Sequence, residues 1–149
     1  MALFGRIIVI AFAVIVASIA AGIAIAMGLF GPQWHSVSGD VGERVMFWGA
    51  AFVGATGIGA VGLPPLVILI AIAETFKIRA LLVHAAAGAA VFVLGYYGSG
   101  LSRPYEESID RPPPPISREA EISAAGGVVF GMVYWAIAGR KAGRWREPR

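Results

Sequence analysis

From Ile7 to Phe30 the chain runs without a single charged residue. A helix rises about 1.5 Å per residue, so this run alone covers the roughly 30 Å hydrocarbon core of a bilayer. A soluble domain has no comparable place to hide it. Arg6 before the run and the small residues Ala24-Ile25-Ala26 within it resemble a cleavable leader. The apolar stretch is well beyond the 7–15 residues of a leader core, so a retained membrane helix is expected.

Three more apolar stretches follow, at 45–73, 80–98 and 122–139. The hydrophobic fraction is 58% and the charged fraction 14%, against about a quarter charged in a typical soluble domain. The expected fold is therefore all-α: one domain over residues 1–149, a bundle of four transmembrane helices with the first at 7–30. The last stretch is at the short end of the spanning range and draws length from its flanks. Ser117 suits its N-cap, with Glu119 and Glu121 in the first turn.

The second stretch is longer than one straight span needs. Glycines crowd its middle, and Pro64-Pro65 follow Gly62. Proline removes a backbone donor and clashes with the preceding turn, so a kink at Pro64-Pro65 is expected within this helix. In lipid the freed carbonyls need partners, which places the kink toward the bundle interior.

Two polar segments complete the chain. Residues 99–121 hold four consecutive prolines, Pro112 to Pro115, expected as a stiff extended spacer. The tail, 140–149, is rich in arginine. With four crossings, Arg6, Lys77, Arg79, Arg140, Lys141, Arg144, Arg146 and Arg149 share one side. Arg44, Arg103, Arg111 and Arg118 share the other. The basic excess marks the cytoplasmic face, so both termini are expected in the cytoplasm, across a bacterial inner membrane. Arg140, Lys141, Arg144 and Arg146 then lie where anionic lipid headgroups collect. Nothing resembles a nucleic-acid module, and topology accounts for the net charge of +3.

Small residues at four-residue spacing let helix backbones approach closely in lipid. Gly127 and Gly131 form such a pair in the last helix. Gly22 lies among Ala17, Ser18, Ala21 and Ala26 in the first, and Gly54 follows Ala50 in the second. These positions are expected to seal the monomer's own bundle, with a second copy or a membrane-protein partner as the other use. His84, about a turn inside the third span, is an ionisable group at membrane depth and a candidate polar site. His35 falls on the opposite side, which argues against haem held by two histidines. Glu74 lies one turn before Lys77, so a local ion pair is expected there.

There are no cysteines, which excludes disulfides, thiolate nucleophiles and iron–sulfur clusters. No spacing of acids, histidines or hydroxyls suggests a catalytic set, a metal site or a cofactor. Small multidrug exporters carry a glutamate inside their first helix, and this first helix has none. In composition the chain resembles small Ala-, Gly- and Ile-rich membrane proteins of alphaproteobacteria, a likeness that implies no activity. The expected role is a non-enzymatic accessory or scaffolding subunit. The alternative, suggested by the glycine-rich break, is a small channel or transporter for an uncharged or hydrophobic solute.

Overall fold

The computed structural model describes residues 2–30, 40–57, 62–99 and 116–144. These form five α-helices: α1 (Ala2–Phe30), α2 (Val41–Gly57), α3 (Leu63–Thr75), α4 (Leu81–Gly98) and α5 (Arg118–Ile137). A single 3-10 turn, Gly139–Lys141, follows α5. There is no strand among the described residues. Three segments are long and apolar enough to cross a membrane: Leu3–Phe30, Leu81–Gly98 and Arg118–Ile137. This is a membrane protein by the length and composition of its helices.

The sequence dictates the ends of these helices. Ser117 caps α5, its hydroxyl accepting from the Ala120 N–H at 3.2 Å. Glu119 and Glu121 sit in the first turn, where the helix dipole favours them. The cap brings Arg118–Glu121 into the helix and lengthens the short apolar stretch to 20 residues. Behind α3, the Ile78 N–H reaches back to the Ala73 carbonyl at 2.9 Å, and Lys77 takes a left-handed φ of 54°. That reversal turns the chain directly into α4.

The kink expected at Pro64-Pro65 within one second helix turns on residues 58–61, which lie outside the described residues. The described residues of that stretch make two helices, α2 and α3, on either side of 58–61. Gly62 is the N-cap of α3 and both prolines fall in its first turn. The first backbone N–H groups of any helix lack an intrahelical acceptor, so proline costs nothing there.

All packing against α1 is antiparallel. Phe47 of α2 meets Phe30, with ring centroids 6.1 Å apart, and Gly54 comes within reach of Gly22 midway along α1. Leu66 of α3 joins the core made by Ala13 and Ala17, and Glu74 at its far end reaches Arg6. On α5, Gly126 lies against Ile25 and Ala21. The alanine row Ala13, Ala17 and Ala21 is fully buried, which lets α5 lie close. α4 packs antiparallel on α5, Phe92 against Phe130 at 5.7 Å.

Glycine decides how close the helices come. A Cβ on Gly127 would lie 2.7 Å from the Ala89 Cα; on Gly131 it would lie 2.8 Å from the Ala85 Cα and would also strike the His84 carbonyl. A Cβ on Gly22 would strike the Ala51 carbonyl and lie 2.9 Å from the Ala55 nitrogen. Close backbone contact here supplies the dispersion that lipid-embedded helices need to associate. Large apolar side chains, including Phe12, Ile15, Ile19, Phe52 and Leu94, remain on the outside. A bilayer accepts that surface where water would not.

Candidate functional site

Two places bring polar groups and space together, one at each end of the bundle.

The first is the pole where α1 begins and α5 ends. Arg6, in the second turn of α1, donates from Nε to Glu74 Oε1 at 3.1 Å, and its terminal NH2 group reaches the same oxygen. That NH2 group also donates to the Ala138 carbonyl at 2.8 Å, which accepts the Lys141 N–H as well. Glu74 is buried, and its second oxygen accepts the Gly143 N–H at 2.9 Å. A buried carboxylate is tolerable only when paired and fully hydrogen-bonded, and both its oxygens are served. Arg79 donates from Nε to the Ala142 carbonyl at 3.0 Å. Trp135 donates from Nε1 to the Arg79 carbonyl at 2.8 Å. The pole thus ties together the start of α1, the α3–α4 turn and the chain after α5. Gly143 has a φ of +71°, which glycine adopts without the Cβ penalty.

The residue spacing pointed to Lys77 as the partner of Glu74; the ion pair is instead with Arg6, far away in sequence. The reason is burial. Glu74 points inward from the end of α3, and Arg6 is the guanidinium that α1 presents there, while Lys77 lies exposed beyond the helix end. A charged pair therefore sits inside the bundle end, although the apolar runs contain none.

His84 lies beside this network, in the first turn of α4. Its Nδ1 is 2.9 Å from the Ala80 carbonyl. A carbonyl only accepts, so Nδ1 is the donor in this contact. Among the described residues, Nε2 is buried without a hydrogen-bond partner. A Cβ on Gly139 would come within 3.0 Å of it. The imidazole stacks on Tyr134 at 5.8 Å and borders a cavity of about 90 Å³ lined otherwise by apolar side chains such as Leu66, Ile70 and Phe130.

The second place is larger. A cavity of about 600 Å³ lies between α1, α2, α4 and α5, at the level where α2 ends. Ile25, Val53, Val91, Phe92 and Ile122 form its apolar body, with Gly57 and Gly62 at the helix ends. Tyr96, Ser99, Glu119 and Ser123 form the rim toward the pole opposite Arg6. The residue pattern did not signal this space, because residues from four separate helices line it.

Of the remaining residues singled out in the sequence, Gly22, Gly54, Gly127 and Gly131 all lie in helix seams inside the monomer. Arg140 is exposed and curls back on its own helix, donating to the Ala136 carbonyl at 2.8 Å, with its guanidinium 5.3 Å from the Trp135 ring centre. Lys141 and Arg144 are exposed at the same pole. Arg146, His35 and the Pro112–Pro115 run lie outside the described residues. No family model, curated protein or solved structure shows significant similarity to this chain.

Proposed function

We propose that the protein is a four-crossing component of a bacterial inner membrane, non-enzymatic, serving as an accessory or scaffolding subunit. In this reading α2 and α3 together make the second crossing. Their 17 and 13 residues amount to about 25 Å and 20 Å of helix, more than the hydrocarbon core requires. Both termini face the cytoplasm, and Arg140, Lys141 and Arg144 meet anionic headgroups there, beside Trp135 at the interface.

One observation carries the subunit role. α2 is held chiefly by α1, and its outer face presents Met46, Trp48, Gly49 and Phe52 uncovered. A Cβ added to Gly49 meets nothing within 4 Å, so that small residue serves no seam within the monomer. It leaves room for a helix of another chain to approach. The glycines of α5, by contrast, are consumed internally. Extraction in mild detergent followed by native gel and mass spectrometry tests the reading. A complex with another membrane protein is expected, weakened by Gly49→Leu with the bundle intact. A band of this chain alone contradicts it.

A second reading, passage of an uncharged or hydrophobic solute, is favoured by the cavity at the α2–α3 break. Interrupted helices in membranes persist where their free backbone groups line a cavity or are buried in protein. A liposome flux assay, with dependence on Pro64 and Pro65, tests it.

A further inference from the structure

We infer that the cavity of about 600 Å³ between α1, α2, α4 and α5 is a binding site for a lipophilic monocation. Its volume falls within the roughly 300–1,000 Å³ of small-molecule pockets, which are mostly apolar with a few placed polar groups. The body is apolar, from Ile25, Val91 and Ile122, and an aromatic wall is made by Phe92 and Tyr96. Among the described lining residues Glu119 carries the sole charge. It stands at the rim, in the first turn of α5, where the helix dipole favours a negative charge. Arg118 beside it does not line the space.

The occupant follows from that distribution. A fully apolar molecule gains nothing from the rim that lipid does not offer. An anion is repelled by Glu119. A strongly hydrated cation loses its water in an apolar body that returns no hydrogen bonds. A molecule with a greasy body and one delocalised positive charge matches both halves: its body fills the apolar space, and its charge meets the carboxylate and the faces of Tyr96 and Phe92. The glycines keep the space open. A Cβ on Gly95 or Gly57 meets nothing within 4 Å, and both residues border the cavity.

The inference rests on the same cavity as the passage reading but requires no transport. The test uses the full chain in lipid nanodiscs and two size-matched probes, tetraphenylphosphonium and tetraphenylborate, by equilibrium dialysis. Saturable binding of the cation, one per chain and at least tenfold tighter than the anion, is expected. Glu119→Gln should reduce that preference to below threefold. Gly95→Leu projects into open space, so it should leave helicity intact by circular dichroism and abolish binding of the cation. Equal binding of both ions, or a preference unchanged in Glu119→Gln, overturns the assignment. So does binding unaffected by Gly95→Leu, which would mean the probe sits in the surrounding lipid or another groove. Saturable binding without flux in liposomes sustains this inference and counts against passage alone.

Discussion

At the residue scale, the Arg6–Glu74 pair is the costliest contact to break. Removing one member of a buried pair leaves the other uncompensated, at about 3–5 kcal/mol. Arg6→Ala and Glu74→Ala should each destabilise the bundle by that order, measured by reversible unfolding in mixed micelles. The double apolar variant Arg6→Met with Glu74→Met should recover part of the loss. Full recovery is not expected, because the Gly143 N–H also loses its acceptor. Gly143→Ala tests the same pole from the backbone. At a φ of +71° a Cβ costs about 1–2 kcal/mol, and here it would also lie 2.5 Å from the Lys77 side chain. This pole was hidden in the sequence. Glu74 has a plausible partner three residues on, and nothing local says that Arg6 will arrive from another helix. His84 was visible as an ionisable group at membrane depth. Its stacking on Tyr134 and its contact with Gly139 belong to the tertiary fold.

At the scale of elements, α1, α4 and α5 were legible because uninterrupted apolar length is a strong signal in lipid. The Ser117 cap was legible too, since a serine before two acids serves orphan N–H groups wherever it occurs. The seam glycines could be suspected from their spacing but not paired. GxxxG spacing shows that a close approach is possible; only the fold shows that Gly131 meets the backbone of His84 and Ala85, and Gly22 that of Ala51 and Ala55. Gly131→Leu should therefore force α4 from α5 and cost several kcal/mol, of the order seen for overpacked cores or more. Gly49→Leu, facing open space on α2, should leave monomer stability within about 0.5 kcal/mol. Thermal unfolding of both variants in one detergent checks the contrast. Equal effects would mean that the α4–α5 seam is not where the bundle closes. The second apolar run is legible only in its described parts: both prolines fall in the first turn of α3, where their missing N–H groups cost nothing.

At the scale of the whole molecule, the pole network is a statement about topology. Arg6 near the start of α1, Glu74 at the end of α3, Arg79 before α4 and Ala142 after α5 all meet at one end. α1 leaves that end, α3 returns to it, α4 leaves it and α5 returns. In the proposed reading α2 and α3 then share one crossing, which makes the number of crossings even. The proposed orientation rests on charge: the pole carries Lys77, Arg79, Arg140, Lys141 and Arg144, and cytoplasmic loops carry the excess of basic residues.

The four-crossing account is tested most directly by labelling single cysteines, because the chain has none of its own. Asp40→Cys, Phe76→Cys, Ser99→Cys and Arg144→Cys mark the two ends of the bundle. A membrane-impermeant maleimide is applied to intact cells and to inverted vesicles. The account predicts that Phe76→Cys and Arg144→Cys react only in inverted vesicles, and Asp40→Cys and Ser99→Cys only in cells. Labelling of Phe76→Cys and Arg144→Cys from opposite sides would contradict it, for α2 and α3 would then not cross together.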